Sequence, residues 1–469
     1  MKKTGFAMAL ALMAGLTQSV SASSLTEIYQ DAQENDPELK IVKSTREMAV
    51  AEKNFSRSAL MPRADLEVLA SSNTRDFGGL GSTVGLDDSF NDTSLFATLR
   101  QPIIDLEARR ALKGANSALQ AADWALMAAE QDLILRTIDA YFNVLVADAL
   151  LTSTRAEESA VSEQLKEVER KFDAGIIAVT DVLEAQAIFD ETKVRRLQVA
   201  SAKENAFEAL RALTSFSYAK LFPVSDDLPI DNPNPKDEAD WIAIAVDNNF
   251  LVKQARSNLE VAQFEAQASK AKRYPKLFAL AQYQHQDEVT EYFIQGTSLT
   301  ETLYGVSVRW DLYSGGQTAA EIARSVSQLA VAQAELEKTL LTTDRDVRTF
   351  YREVVNAVKQ VEAGKSANKS AATALRAIKA GYDAGSREIL DLLQAQQRLN
   401  QAQYQLTSAR QHYVTKMVLL KAATGGLTEE DLRQVSAYTD TDRAVWRDNE
   451  RDEPGGKRMS EWRLNSLSD

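Results

Sequence analysis

The chain has no cysteine among its 469 residues. That excludes a disulfide scaffold, thiol catalysis and a lipid carried on an N-terminal cysteine. Its two histidines, His285 and His412, stand far apart, and with no thiolate beside them there is no mixed metal-ligand cluster. G-x-S-x-G, H-E-x-x-H and P-loop signatures are missing as well. Carboxylates are plentiful, but on long solvated helices a carboxylate is ordinarily a surface group, so neither an enzyme nor a cofactor is expected. With Asp+Glu 67 against Lys+Arg 54 the formal charge is −13, a surface that repels nucleic acid.

Long apolar runs are scarce. The longest, Phe6 to Leu16, follows Lys2-Lys3 and precedes Val20-Ser21-Ala22, the pattern of a secretory signal. It is shorter than the ~20 residues a spanning helix needs. Residues 1–22 are therefore expected to be removed on export. Any crossing of a membrane would then fall to strands, which hide in alternation.

Proline and glycine are also sparse, nine and 19 in the whole chain. From Asp105 to about Phe172 there is no proline and one Gly114, and from Ala319 to Tyr382 only Gly364 and Gly381 intervene. These stretches are rich in Ala, Leu, Gln, Glu, Lys and Arg, good helix formers. At 1.5 Å per residue each would reach about 100 Å. In the second, Ile322, Val326, Leu329, Leu336, Leu340, Val347, Phe350, Val354, Ala357, Val361, Ala371, Leu375, Ile378 and Tyr382 recur at three and four spacings, broken mainly at Gln333, Thr343, Gly364 and Asn368. Such a heptad implies coiled-coil packing. Periodicity alone leaves open a solid bundle or helices around a wet interior.

The sequence says nearly the same thing twice. Phe172 to Gln186 (F-D-A-G-I-I-A-V-T-D-V-L-E-A-Q) is echoed by Tyr382 to Gln396 (Y-D-A-G-S-R-E-I-L-D-L-L-Q-A-Q), Ala140-Tyr141-Phe142 by Thr349-Phe350-Tyr351, and Pro102 to Asp105 by Asp311 to Ser314. A duplication of this length belongs to an architecture. Gly175 and Gly385 read as left-handed helix terminators at the tips of two hairpins, with return helices from about Val179 to Leu213 and Ile389 to Ala423.

Before each rod the texture changes. Ala64, Leu66, Val68 and Ala70 alternate with Asp65, Glu67, Leu69 and Ser71; Leu95, Ala97 and Leu99 alternate with Phe96, Thr98 and Arg100. In the second copy Tyr304, Val306, Val308 and Trp310 alternate with Leu303, Gly305, Ser307, Arg309 and Asp311, and Leu277 to Gln284 is a less regular case. The pattern fits barrel strands with lipid on one side and water on the other; an ordinary half-buried hairpin has the same period. On the barrel reading Tyr304 and Trp310 lie near the membrane interfaces. Gly78-Gly79-Leu80-Gly81 and Gln286 to Thr300 would be connecting loops.

The expected organisation is a signal peptide (1–22), a first structural repeat (23–225), a linker (226–237) containing Pro229, Pro233 and Pro235, a second repeat (238–436), and a charged, loosely ordered tail (437–469) with Pro454-Gly455-Gly456. The fold class is mostly α with a membrane β-barrel.

The tandem halves, the Asp-Ala-Gly tips, the four strands and the signal together resemble the TolC-type outer-membrane efflux factor family over roughly Ser24 to Arg433. Leu25 to Leu39 (L-T-E-I-Y-Q-D-A-Q-E-N-D-P-E-L) and Ala140 to Leu145 (A-Y-F-N-V-L) look like that family's own phrasing. The resemblance implies a homotrimer whose twelve strands close a barrel in outer-membrane lipid and whose twelve rods continue it across the periplasm. It implies a closing network at the tips, carried here by Thr180, Asp181, Tyr382 and Arg387, and an acidic constriction ring carried by Asp391. A second acid one turn on is replaced by Gln394, which lowers the expected charge. Ala174, Gly175, Ala384 and Gly385 would dock a periplasmic adaptor.

The implied role is a passive exit duct of a tripartite efflux or type I secretion system, working with an inner-membrane pump of the RND, ABC or MFS class. A trimeric coiled-coil surface protein would lack lipid-facing alternation, and a general diffusion porin would not require two such rods per chain.

Overall fold

The computed structural model describes residues 24–75, 88–225, 228–290, 294–384, 386–387, 389–440 and 443–447. The signal segment, the Gly78 to Gly81 cluster, Gly385 and the Pro454-Gly455-Gly456 tail lie outside the described residues.

The first helices show how closely the copies agree. Ser24 caps α1 (Leu25–Asn35) in a capping box with Glu27, satisfying two otherwise orphaned donors. Asp36 ends α1, and α2 (Pro37–Ser58) begins with proline at its first position, where no N–H is needed. The Asp36 carboxylate accepts from the Leu39 N–H at 2.9 Å. The strands β1 (Arg63–Arg75) and β2 (Asp88–Ile104) follow. The first rod, α3 (Leu106–Asp173), has 68 residues, and its return helix α4 (Val179–Thr214) has 36.

After the short β3 (Lys220–Leu221), the second copy opens with α5 (Glu238–Asn248) and α6 (Phe250–Ala271). Their lengths of 11 and 22 residues equal those of α1 and α2, and Asn249 takes the place of Asp36 between them. Then come β4 (Lys276–Thr290), β5 (Ile294–Arg309), the 67-residue rod α7 (Gln317–Asp383), its 35-residue return α8 (Ile389–Ala423), α9 (Glu429–Ser436) and β6 (Val445–Trp446). Each rod is about 100 Å long. Expected rod and return boundaries agree with the structure within about two residues at every end.

The chain forms two compact units. Among the described residues, one holds 24–41, Met127–Asn249 and 342–447; the other holds Val42–Leu126 and Phe250–Leu341. In the first, Leu25, Ile28, Leu133, Ile138, Tyr141, Phe207, Leu210 and Leu420 are buried. Gly364, which breaks the apolar series of α7, has a packing reason: a Cβ there would lie 3.2 Å from Leu406 Cδ1, so glycine lets α8 approach.

The second unit contains a four-stranded antiparallel sheet in the order β1-β2-β4-β5. The copies meet at the β2-β4 pair. The expected loop from Gln286 to Thr300 is a correction, because β4 and β5 remain paired through Gln286↔Leu299, Asp287↔Ser298 and Glu288↔Thr297. The pairing is a backbone ladder and persists where both faces turn polar, so the fading of alternation was not the end of the strands. Sheet and rods meet at Asp105, whose carboxylate accepts from the Ala108 N–H at 2.9 Å; in the second copy the Ser314 hydroxyl accepts from the Thr318 N–H. Lys276 ties this corner to Asp105 (3.3 Å) and Glu107 (2.7 Å).

The stretch after Ser436 also departs from expectation. Its described residues, 437–440 and 443–447, are pinned across the first copy: Val224 bridges Thr439, β6 pairs with β3, and Arg447 reaches Glu204 at 2.8 Å and Glu208 at 2.6 Å. A two-residue strand carries no period, and the bonds holding this strap are long-range, so sequence pattern could not announce it.

Candidate functional site

Antiparallel register places directly opposed residues on one face, and the rows sort by polarity. Ala64, Leu99, Ala281 and Tyr304 form one row; Leu66, Ala97, Tyr283 and Thr302 form the next. Leu277 opposite Val308 and Ala279 opposite Val306 extend the same face. The intervening rows, Asp65-Thr98-Gln282-Leu303 and Glu67-Phe96-Gln284-Glu301, belong to the opposite face. Arg100, over the Phe278 ring at 3.8 Å, also lies there.

The apolar face is bare in a single chain. Leu66 is 71% exposed, Val306 66% and Tyr304 80%, a contiguous apolar face of the kind that marks a protein or membrane contact. Below it, Trp310 donates its indole N–H to Arg273 O at 3.0 Å, and Leu312 and Tyr313 are exposed. At the other end of the sheet His285 pairs with Thr300 across strands at 2.8 Å. The outer strands β1 and β5 each have one partner in the sheet order, so both edges are open.

At the far end of the first rod, Gly175 adopts φ +70°. Gly175 N–H reaches Phe172 O and Ile176 N–H reaches Lys171 O, the double closure of a left-handed helix cap. In the second copy Ser386 N–H reaches Gly381 O at 2.8 Å, the counterpart of the Ile176 bond. Ala384 ends this rod with its N–H on Ala380 O, and Ala174 ends the first in the same manner on Arg170 O.

The tip residues find local partners within one protomer. The Asp181 carboxylate accepts from the Ala178 N–H at 3.3 Å and so caps α4. Arg387 lies 3.7 Å from Asp391, four residues on, with both side chains exposed. Within one chain Arg387 thus faces the carboxylate one helical turn away. Thr180 and Tyr382 flank these groups on α4 and α7, and Gln394 is on α8 one turn beyond Asp391.

Sequence reasoning missed the Arg387-Asp391 pair, whose spacing of four on the start of a helix was the available signal. It also missed Lys203, buried in α4 with its ammonium 3.0 Å from Asp148 of α3. A charged residue at a coiled-coil contact position was the clue there.

A duplicated chain with two hairpins built on about 100 Å rods, and a sheet exposing an apolar face with open edges, has the features of a membrane-channel chain. The chain belongs to the outer membrane efflux protein family, whose model matches residues 28–215 and 241–426. It is 30% identical to the outer membrane protein TolC of Vibrio cholerae serotype O1 over 429 residues, covering 91% of this chain and 96% of that protein. It is 26% identical to the alkaline protease secretion protein AprF of Pseudomonas aeruginosa over 430 residues, 90% and 88% of the two chains. The crystal structure of the Campylobacter jejuni CmeC outer membrane channel superposes with a TM-score of 0.70 at 17% identity, covering 89% and 90%, a likeness of fold. The protein is an outer-membrane efflux channel of the TolC type, reaching into the periplasm and serving tripartite efflux and type I secretion. It is not an enzyme.

Proposed function

We propose that three copies close the sheet into a twelve-stranded barrel and that their hairpins continue it as a periplasmic tunnel, docked at the tips to an adaptor and through it to an inner-membrane pump. The observation that carries this is the pair of open sheet edges flanking an exposed apolar face. In lipid, unpaired backbone groups cost several kcal/mol each, and a lone protomer cannot remove its own edges. The apolar rows face lipid and the rows with Asp65, Glu67, Arg100, Gln282 and Gln284 face water.

At the tips, Thr180, Asp181, Tyr382 and Arg387 form the closing network and Asp391 lines the constriction, with Gln394 neutral beside it. Ala174, Gly175, Ala384 and Gly385 meet the adaptor. Movement through the duct is passive, so the pump supplies both energy and choice of cargo.

Light scattering on detergent-solubilised protein tests the assembly. A stable species of three chains is expected, and a water-soluble monomer would overturn the reading.

A further inference from the structure

We propose that the lower part of α7 carries a docking stripe for an acidic helix of the periplasmic partner, formed by Lys365, Lys369, Arg376 and Lys379. The proposal rests on the reading of the hairpins as the partner-facing end and adds the chemistry of that partner. Steps of four, seven and three residues keep these cations within about 40° of one line along the helix, over about 21 Å. From Val361 to Tyr382 the only acid is Glu362.

All four cations are exposed, and among the described residues none has a carboxylate within ion-pair distance. Arg376 contacts only the Thr373 hydroxyl, at 3.3 Å. On the first hairpin four of the cations are matched inside the chain: Lys166 with Glu163, Lys171 with Glu167, Arg195 with Glu157 and Arg196 with Glu158. In a chain of formal charge −13, an unmatched row of cations on one helix face complements an anionic surface of the same linear spacing. A helix with acids every three or four residues has it.

The stripe's direction follows from its neighbours. Ala371, Leu375, Ile378 and Tyr382, the seam residues of α7, lie about a third of a turn to one side. Ser366, Ser370, Thr373, Ala374 and Ala377 lie on the other side and are small enough for close approach of a second copy's helix. The stripe belongs to neither surface. Asn368, between stripe and seam, lines a cavity of about 310 Å³ together with Tyr404 and Leu406 of α8 and with Val224, Leu228 and Val445.

The test uses the full-length trimer in detergent and a four-heptad helical peptide with glutamate at its e and g positions, with a lysine version as control. The glutamate peptide is expected to bind with an affinity that falls as salt rises, and about tenfold more weakly to the variant K365E/K369E/R376E/K379E. The lysine peptide is expected not to bind. Trimer mass and single-channel conductance should be unchanged. Equal glutamate-peptide binding by parent and variant overturns the proposal, as does dissociation of the variant trimer, which would make the stripe a subunit seam.

Because the chain has no cysteine, Lys369→Cys gives a unique label. A change in single-channel current on treatment with a charged thiol reagent would place the stripe in the lumen and also overturn the proposal. In cells, bulky replacements at Ala174 and Ala384 separate the two readings. If these abolish efflux while charge reversal leaves it intact, the stripe falls and tip docking stands; if neither affects efflux, docking through the hairpins falls as a whole.

Discussion

Tyr141 and Tyr351 each stand 34 residues before the tip glycine of their repeat, Gly175 and Gly385, and each donates its hydroxyl hydrogen to a main-chain carbonyl, Phe222 O for the first and Lys236 O for the second. The first rod therefore grips the segment after its return helix α4, and the second grips the segment before α5, with the same group. The environments differ: Tyr141 is fully buried, and burial pushes its hydroxyl well above the usual phenol range, so it remains a donor. Tyr141→Phe leaves the Phe222 carbonyl without that partner and is expected to cost about 1–3 kcal/mol, whereas Tyr351→Phe, nearer solvent, should cost under about 1 kcal/mol. Thermal unfolding of the two variants in one detergent checks the order.

The junction of α1 and α2 makes a pH prediction. Asp36 is buried, which by itself raises its carboxyl, but bonds from Arg136 at 2.9 and 3.1 Å and from the Leu39 N–H bring it below the usual range. A carboxyl depressed in the folded state adds stability above its unfolded value of about 4, and that stability is lost as pH falls through the folded value. Arg136→Met should lower stability at pH 7 by about 2 kcal/mol, less than a fully buried pair because the guanidinium is partly solvated. Asp36→Asn copies the Asn249 of the second repeat and should flatten the acid limb of the stability curve. An unchanged acid limb in that variant would show that Asp36 does not govern it.

The strap is testable by proteolysis. Arg447 donates to Glu204, Glu208 and the Ser217 hydroxyl. Arg447→Ala removes all three bonds, and trypsin should then cut after Arg443 several-fold faster, read by intact mass, while trimers persist. Unchanged cleavage would mean that the β3-β6 pairing holds the strap without Arg447.

Legibility tracked the physics that produces each element. The rods and returns were readable because a 3.5-residue period and a glycine terminator are local signals, and α3, α4, α7 and α8 begin and end close to where those signals place them. The strands were readable only over their apolar halves: Leu66 and Val306 announce a face, but Asp287 and Ser298 are paired with nothing periodic to mark them. Two-residue β3 and β6 were beyond pattern altogether. At the tips the residue types were readable and the pairing was not, since Asp181 spends its carboxylate on the Ala178 N–H and Arg387 turns to Asp391.

That last pair sets the sign of an electrophysiological prediction. Arg387 and Asp391 are 3.7 Å apart and both exposed, so their mutual stabilisation is small, but in the trimer proposed above the pair would be repeated around the axis at the narrow end. There Arg387 screens the Asp391 carboxylate, and Gln394 one turn on adds no charge. Arg387→Ser combined with Tyr382→Phe removes donors from the closing network and should raise single-channel conductance in planar bilayers, because at a constriction a small helix displacement opens a large fraction of the area. The same double variant unmasks Asp391, so block by multivalent cations applied at the periplasmic end should strengthen as conductance rises. Asp391→Asn should weaken that block in either background. A double variant that conducts like the parent, with Asp391→Asn leaving cation block untouched, would place the gate elsewhere on the hairpins.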